Sequence, residues 1–370
     1  MERREECVGT GAGRRTYFAA SNGAGGFCNR YEACFRDRAE QLYIIQGGPG
    51  TGKSRLMWDA VTAAERRGWQ AELYDCSSDP NSLDAVFLWH TDGRSLILLD
   101  GTAPHSMQLR RPGTREHLID LGAFWSKQLL QEQQERIDAL MEQKRRAYSV
   151  AYRYLHAAGD CMENQLELLQ PAVHIDALRS LAARLVSGAL TGRAAAESGM
   201  VRAVCIDAVS MRGRCHLDTF EAQAERICVL ERFYGLELLL MRALYEQGLR
   251  RGARMTVSYH PVFTERPDAL FFEDSRVAMV IGDRARTLPQ SCYHRTVKLR
   301  RLTDASILRE QREALREAQR QRDALLRLGE SALASAAAPH FALEELYGRA
   351  MDFAAKEAFT EQLCHTLFGA

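Results

Sequence analysis

The chain has 370 residues, the length of two or three domains, and 46% of them are hydrophobic, enough for a core in each domain. Its 49 basic residues are balanced by 48 acidic ones, so the composition disfavours a dedicated nucleic-acid binder and a binder of anionic membranes. No apolar run reaches the length of a membrane-spanning helix.

Residues 1–16 are basic and rich in glycine but lack the apolar stretch of a secretory signal, which predicts a flexible N-terminal tail. Ten cysteines are scattered along the chain without a CxxC pair. That usage is typical of reduced, mostly buried thiols in a cytoplasmic protein, and it argues against disulfides and against a zinc site.

A series of strands follows the tail, with one clear helix among them. Tyr43, Ile44 and Ile45 form a continuous apolar run that is typical of a buried parallel strand. A helix is expected from about Lys53 to Arg67. The predicted strands are Gln41–Gln46, Ala71–Cys76, Ala85–Trp89 and Leu96–Asp100. Strands that alternate with helices predict an α/β fold with a three-layer parallel sheet.

The turn between the first of these strands and the helix carries the full pattern GxxxxGK[ST]. In a phosphate-binding loop of this form, backbone N–H groups face the phosphates, the lysine reaches the β- and γ-phosphates, and the hydroxyl binds Mg²⁺. The preceding strand and the following helix are the context that the motif requires. The sequence therefore predicts a site for ATP and Mg²⁺ formed by Gly47, Gly48, Pro49, Gly50, Thr51, Gly52, Lys53 and Ser54.

Asp100 ends an apolar strand downstream of the loop and is predicted to bind Mg²⁺ together with Ser54. The alternative is that Asp100 only begins the turn Asp100-Gly101. Motor-type ATPases commonly carry a water-activating glutamate directly after this aspartate. No glutamate follows Asp100, so the segment is more typical of the kinase and GTPase branch. Thr102 and His105 are candidates to contact the γ-phosphate.

Polar residues follow the second strand of the series, at the sheet edge where open α/β folds bind ligands. Asp75 and Asp79 are predicted to act on an acceptor hydroxyl held near Ser82, because such a hydroxyl must lose a proton as it attacks. The alternative is an ordinary polar loop with an Asp-Pro turn and a helix cap. Asp84 is a weaker candidate, because the second half of the chain repeats it.

From about residue 126 to 170 the apolar spacing becomes helical. Apolar residues recur at intervals of three, four or seven: Ile137, Leu140, Met141, Tyr148, Ala151, Tyr152 and Leu155. This pattern predicts a long helical hairpin or a lid after the sheet. A second helical segment, rich in alternating arginine and glutamate, is expected at about residues 307–327, and its paired charges make nucleic acid an unfavoured partner.

The chain is an internal repeat. At a shift of 184 the two halves share eight identities in 32 positions, among them Leu56-Met57 with Leu240-Met241. The match resumes at a shift of 185, which places Asp138–Leu140 on Asp323–Leu325. We predict an active domain over residues 17–190 and a second copy over residues 199–370, joined near residues 187–198.

The second copy lacks the chemistry of the first. At the shift of 184, Glu237 replaces Lys53 and would repel a phosphate, and Leu238 replaces Ser54 and cannot bind a metal. The second copy is therefore predicted to be a folded domain with a degenerate loop.

Several segments resemble an uncharacterised bacterial family of tandemly duplicated P-loop ATPases, sometimes described as nucleotide kinases. The resemblance spans essentially the full length and rests on Tyr17–Phe27, Gly47–Ser54, Cys76–Asp84 and the quite specific Asp100–His105. It implies ATP binding and a cytoplasmic protein, and it supplies no substrate. Members usually have two intact phosphate loops, and this chain departs from them in its second half.

These features predict a P-loop NTPase that hydrolyses ATP or transfers its γ-phosphoryl group to an unidentified small acceptor. Lys53 would stabilise charge in the transition state, and Asp75 or Asp79 would accept the proton of the acceptor. Helical arginines, Arg145, Arg146 or Arg153, are candidates to close over the phosphates. The alternative is an ATP-gated switch in which the nucleotide orders the helical segment to bind a partner, with negligible turnover.

Overall fold

A computed structural model describes residues 14–105, 107–190, 199–282 and 293–369. Most of the predicted tail, residues 1–13, lies outside the described residues, as does most of the predicted linker, residues 191–198. Arg15 and Thr16 belong to the first strand, so the tail boundary was set too far along the chain. We refer below to residues 14–190 as the first half and to residues 199–369 as the second half.

The first half alternates short strands with helices and ends in three helices. Its elements are β1 (Arg15–Phe18), β2 (Ala20–Gly23), β3 (Gly26–Asn29), α1 (Tyr31–Phe35), β4 (Gln41–Gln46), α2 (Lys53–Glu65), β5 (Gln70–Asp75), β6 (Leu83–Trp89), β7 (Ser95–Asp100), β8 (Glu116–Asp120), α3 (Lys127–Glu132), α4 (Gln134–Leu169) and α5 (Ile175–Ala189).

The second half repeats this order with one additional helix break. Its elements are β9 (Val201–Val204), β10 (Asp207–Ser210), β11 (Gly213–His216), α6 (Thr219–Gln223), β12 (Arg226–Leu230), α7 (Leu236–Arg250), β13 (Met255–Tyr259), β14 (Pro267–Phe272), β15 (Val277–Ile281), β16 (Tyr293–Val297), α8 (Ala305–Glu310), α9 (Arg312–Ala334), α10 (Ala337–Ala350) and α11 (Phe353–Phe368).

The two halves contain equivalent six-stranded sheets. The strand orders are β1-β5-β6-β7-β4-β8 and β9-β13-β14-β15-β12-β16, so each strand of one half has its counterpart in the other. The duplicated α/β fold is therefore confirmed. The expected all-parallel sheet is wrong, because β6 and β14 run antiparallel to both of their neighbours. The connections 76–82 and 90–94 are too short for a parallel crossover, which needs about a dozen residues.

The sheets pack through a shared apolar core. On one face of the first sheet, Ile44, Ile97 and Leu99 join a buried cluster that also contains Val229 and Phe271 of the second sheet. The opposite face of the first sheet packs against α2 through a separate cluster. Burial on both faces accounts for the continuous apolar runs of these strands.

The helical segment after the first sheet is not a hairpin. Beyond the short α3, it forms the single 36-residue helix α4, which packs along α9 of the second half. The prediction of a hairpin was wrong because α4 buries its apolar side chains against a helix from the other half. A second, neighbouring helix of a hairpin is therefore not needed to cover them. In the second half the equivalent stretch is divided into α9 and α10.

The predicted alignment of the two helical segments was also wrong. The first turns of α4 and α9 begin at Gln134 and Arg312, which is a shift of 178 and not 185. The difference is seven residues, close to two turns of a helix, so the apolar face of one helix matches the other equally well in either register.

The two halves exchange their last helices. Helix α5 of the first half packs on α7 of the second, and α11 of the second half packs on α2 of the first. Two isolated β-bridges link the halves: Trp125 pairs with Met351, and Val173 pairs with Thr303. Corresponding residues of the two bridges are 178 residues apart, Trp125 from Thr303 and Val173 from Met351, so the exchange follows the internal repeat. Each sheet is therefore covered by a helix from the other half.

This exchange predicts that neither half is stable alone. Expressed without α5, residues 199–370 would expose the buried face against which Leu178, Leu181 and Leu185 pack, and each such leucine contributes about 1.5–3 kcal/mol of burial. We expect residues 199–370 to aggregate alone and to elute as a 1:1 complex when co-expressed with residues 1–190. A folded, monomeric second half in size-exclusion chromatography would contradict the exchange.

Within the described ranges, no helix combines the length and the apolar character that crossing a membrane requires.

Candidate functional site

The loop between β4 and α2 has the backbone shape of an anion cradle. Gly50 and Gly52 have φ values of 71° and 83°, a left-handed conformation in which glycine is strongly favoured. Gly52 is also the residue at which α2 begins. The backbone N–H groups of Gly50, Thr51, Gly52 and Lys53 donate no hydrogen bond to the described parts of the chain. They lie at a helix N-terminus, where unpaired amides and the helix dipole favour a negative charge.

Lys53 lies over this loop and beside Asp100. Its Nζ donates to the carbonyl oxygens of Gly48 at 2.7 Å and Gly47 at 3.0 Å, and it lies 3.6 Å from Asp100 Oδ2. The contact with Asp100 follows from the sheet, because β4 pairs directly with β7 and sets Ile45 opposite Asp100. The structure therefore brings together the lysine and the distant carboxylate that the sequence predicted to share one site.

Two predicted hydroxyls are also close to the loop. Thr102 Oγ1 donates to the carbonyl of Gly47 at 2.8 Å, and Thr102 N donates to Asp100 Oδ1 at 2.8 Å. Ser54 lies in the first turn of α2, and its Oγ accepts a 3.0 Å hydrogen bond from Leu83 N at the start of β6. The hydroxyl proton of Ser54 is not used in that bond. Thr102 therefore braces Asp100 against the loop, and Leu83 fixes the orientation of Ser54.

Helix α10 of the second half lies directly on the loop. A Cβ added to Gly48 would approach the Tyr347 ring to 2.6 Å, and a Cβ on Gly50 would meet the carbonyl oxygen of Glu344 at 2.2 Å. Both distances are far below van der Waals contact. Glycine at these positions thus serves the packing of α10 as well as the loop conformation. No motif in the sequence pointed to α10, because it follows the loop by almost 300 residues.

A second lysine reaches the same region. Lys144 of α4 places its Nζ 3.1 Å from Nδ1 of His340 on α10. Burial, assisted by the nearby ammonium of Lys144, lowers the pKa of His340 to about 4, so the imidazole is neutral at pH 7 and accepts from Lys144. Burial also lowers the pKa of Lys144, and the charge of Lys53 acts in the same direction. Two ammonium groups that repel one another favour an anion between them.

One acidic group of α10 shares this environment. Burial raises the pKa of Glu344, and the carboxylate of Asp79 raises it further, while Lys53 and Lys144 act in the opposite direction. Glu344 Oε1 also lies 3.6 Å from His340 Nε2. The loop, α4 and α10 therefore form one charged cluster of Lys53, Lys144, His340 and Glu344, which we call the loop cluster.

The helical arginines expected to close over the phosphates are directed elsewhere. Arg145 and Arg146 are exposed and both pair with Glu142 of their own helix. Arg153 is also exposed and bonds Ser149 one turn back. Lys144 occupies the adjacent position on α4 and is the residue that faces the loop. The sequence identified the correct helix and the wrong face of it.

The two predicted acceptor residues differ in their position: Asp75 lies apart from the loop, whereas the carboxylate of Asp79 acts on Glu344 of the loop cluster. Asp75 is buried at the end of β5, three strand positions from β4 in the sheet, a separation of about 14 Å. Asp79 accepts a 2.7 Å hydrogen bond from Arg212 Nε, and Met211 N donates to Ser78 O at 3.0 Å. The second half therefore holds the loop that follows β5 through the hairpin of β10 and β11.

The equivalent loop of the second half has a different shape. Five residues separate β12 from α7, against six between β4 and α2. Glu237 Oε2 accepts from Phe233 N at 2.8 Å, and a Cβ on Gly235 would meet Leu166 of α4 at 2.7 Å. Side chains thus occupy the space above this loop.

The one-residue difference also changes the alignment of the two loops. Matching the left-handed glycines that begin the helices, Gly52 and Gly235, places Leu236 on Lys53 instead of Glu237. Neither residue is a cation, so the prediction that the second loop lacks the phosphate-binding lysine holds for either alignment.

His105 does not lie at the loop with Thr102. It is buried, its ring stacks on Tyr31 with centroids 5.4 Å apart, and its Nε2 lies 3.7 Å from Asp84 Oδ2. Its expected contact with a γ-phosphate is therefore not supported by its position.

Comparison of the chain with protein-family models, with curated proteins and with solved structures found no match.

Proposed function

We propose that the first half binds Mg·ATP at residues 47–54 and hydrolyses it or transfers its γ-phosphoryl group to a small acceptor. One observation carries the proposal. The unpaired amides of the loop, the Nζ of Lys53 and the carboxylate of Asp100 converge at the N-terminus of α2, with 3.6 Å between the last two groups. A triphosphate needs that donor set, and its metal needs a carboxylate beside it.

Each residue has a defined task in this proposal. The amides of residues 50–53 and the ammonium of Lys53 bind phosphate oxygens, and Lys53 exchanges its present carbonyl partners for them. Ser54 and Asp100 would hold Mg²⁺, which when bound neutralises charge on the β- and γ-phosphates. Thr102 keeps Asp100 in position through its backbone N–H.

The loop cluster extends the proposed site beyond the motif. Lys144 adds a second cation, and burial makes its charge more effective than that of an exposed lysine because solvent screens it less. Phosphoryl transfer is accelerated mainly by positioning and by such fixed charges. An acceptor would bind along the edge near Asp75 and Asp79, where Arg212 of the second half is the nearest cation to Asp79.

A switch with negligible turnover is the second candidate, and the position of α10 favours it. Tyr347 and Glu344 occupy the surface of the loop at Gly48 and Gly50. A triphosphate that wraps the loop would compete with them, so nucleotide binding would displace α10. Because α10 leads directly into the exchanged helix α11, that displacement would be transmitted to the packing between the halves.

Substitutions of the three carboxylates test the proposed assignment. Asp100→Asn keeps the size of the side chain and removes the charge that would hold Mg²⁺, so we expect the Mg²⁺-dependent gain in ATP affinity to shrink. Asp75→Asn and Asp79→Asn serve as matched controls and should bind Mg·ATP like the unaltered protein. Equilibrium titration with a fluorescent ATP analogue, with and without Mg²⁺, measures both effects. An Asp100→Asn protein with unchanged Mg²⁺ dependence would contradict the metal assignment.

Turnover separates the enzyme from the switch. If the protein is a kinase, adding nucleosides, nucleotides or small alcohols should raise ADP release, and Asp75→Asn or Asp79→Asn should lower transfer by roughly 10²- to 10⁴-fold, the usual contribution of a general base. If no acceptor raises turnover and both variants behave like the unaltered protein, the switch is the better account.

A further inference from the structure

A second group of chemically active side chains lies beneath the sheet edge, outside the loop cluster. Cys76 follows β5, Asp84 lies in β6, and His105 follows β7. Asp84 and His105 are 3% and 8% exposed, and Cys76 is half-buried. We call these three residues the Cys–Asp–His cluster.

The spacing within this cluster is that of metal ligands. One potential ligand atom from each residue lies within 4.8 Å of those of the other two. His105 Nε2 and Asp84 Oδ2 are 3.7 Å apart, too far for a hydrogen bond. Two ligands at bond lengths of about 2.0–2.1 Å on a tetrahedral ion stand roughly 3.3 Å apart, so only a small movement is needed.

Two buried atoms of the cluster, Asp84 Oδ2 and His105 Nδ1, form no hydrogen bond of ordinary geometry in the described parts of the chain. The thiol of Cys76 and the hydroxyl of Tyr31, whose ring stacks on His105, interact with the Asp84 carboxyl. A buried polar atom without a partner costs on the order of 1–3 kcal/mol, and more if it is charged. A cation bound at Asp84 would remove the largest of these costs.

We propose that Cys76, Asp84 and His105 bind Zn²⁺. A thiolate, an imidazole and a carboxylate form a donor set that suits Zn²⁺, whereas Mg²⁺ requires oxygen ligands. The site is therefore chemically distinct from the magnesium site proposed at Ser54 and Asp100. Three protein ligands leave one tetrahedral position, which the hydroxyl of Tyr31 or a water molecule would fill.

Binding would tie together three segments of the sheet edge. The ligands come from the segment after β5, from β6 and from the segment after β7, which directly follows Asp100 and carries Thr102. Zinc would thus rigidify the residues that surround the proposed nucleotide site, and its removal should lower the stability of the protein.

Titration of the full-length protein with metal tests the proposal without nucleotide. After removal of metals with a chelator, we expect one equivalent of Zn²⁺ to bind and to raise the melting temperature. Co²⁺ in its place should give the near-ultraviolet absorption of a thiolate–cobalt bond. Mg²⁺ in excess should not displace either metal.

Variants assign the ligands. Cys76→Ser should abolish the thiolate–cobalt band, and His105→Gln should weaken Zn²⁺ binding by more than the roughly 10- to 100-fold that loss of an outer-shell partner costs. Cys161→Ser removes another half-buried cysteine, on α4, and should change neither property. If the cluster variants fail to fold, alkylation of the unaltered protein replaces them, because bound Zn²⁺ should protect Cys76 and leave Cys161 reactive.

Two results would overturn the proposal. One is the absence of a tight Zn²⁺ equivalent in the full-length protein. The other is a Zn²⁺ equivalent that persists in Cys76→Ser or leaves Cys76 as reactive as before. In either case Asp84 is better explained as a neutral acid, since burial and the nearby carboxylate of Asp100 raise its pKa.

Discussion

Lys53→Ala is expected to weaken ATP binding by at least about tenfold while the protein stays folded. The ammonium of Lys53 is the only cation on the loop itself, and a hydrogen bond to a charged group contributes about 1.5–3 kcal/mol, which corresponds to roughly 10- to 150-fold in affinity. In the unaltered structure that ammonium bonds two backbone carbonyls, which are easily given up for phosphate oxygens. Titration with a fluorescent ATP analogue measures the loss.

Lys127→Ala is the matched control for that experiment. Lys127 is an exposed lysine at the start of α3, so its removal changes the net charge equally and should leave the affinity unchanged. Equal affinity of the Lys53→Ala and unaltered proteins, with Lys127→Ala also unchanged, would show that the loop is not the nucleotide site.

Gly50→Ala should lower the free energy of unfolding by about 1–3 kcal/mol more than Gly113→Ala does. Both glycines have positive φ, 71° and 76°, so the backbone strain of an alanine is similar at the two positions. A Cβ at Gly113 meets nothing within 4 Å, whereas a Cβ at Gly50 would meet the backbone of α10 at 2.2 Å. The difference between the variants therefore measures overpacking against α10. Urea unfolding gives both values.

A companion substitution isolates the side-chain contact at the next glycine. Gly48→Ala would place its Cβ 2.6 Å from the ring of Tyr347, and Tyr347→Ala should relieve that clash in the double variant. If Gly50→Ala and Gly113→Ala destabilise the protein equally, and the Gly48–Tyr347 pair shows no coupling, then α10 does not rest on the loop in solution.

The parts of the site that are close in sequence could be predicted well. The loop, the strand before it and the helix after it form one continuous segment, and glycine at positions 50 and 52 permits the left-handed backbone that the structure shows there. Asp100 was found because an apolar strand that ends in a carboxylate is a local pattern. Its contact with Lys53 then follows from the pairing of two parallel strands.

The parts contributed by the second half could not be predicted from local patterns. Lys144 and Arg146 are two residues apart on α4, and only the packing of α4 decides that the first faces the loop and the second pairs with Glu142. His340 and Glu344 reach the site through the exchange of helices between the halves. The repeat revealed that there are two copies, but a repeat does not specify which helix covers which sheet.

The helical extension was mistaken for a hairpin for a related reason. Ile137 and Leu155 lie on the apolar face of a helix, and such a face is stable only when another element packs against it. The sequence offered a local partner, whereas the structure supplies α9 and α10 from the second half. The antiparallel direction of β6 has a local cause instead, because the short connections on either side of β6 set its direction.

Calorimetric titration of the full-length protein with ATP in the presence of Mg²⁺ tests the proposed function most directly. The account predicts saturable binding of one nucleotide per chain, because the loop at residues 47–54 has the amides and the lysine, whereas its counterpart at residues 231–238 is filled by Glu237 and Leu166. Removal of Mg²⁺ should weaken that binding. Two nucleotides per chain, or no heat of binding at millimolar ATP, would contradict it.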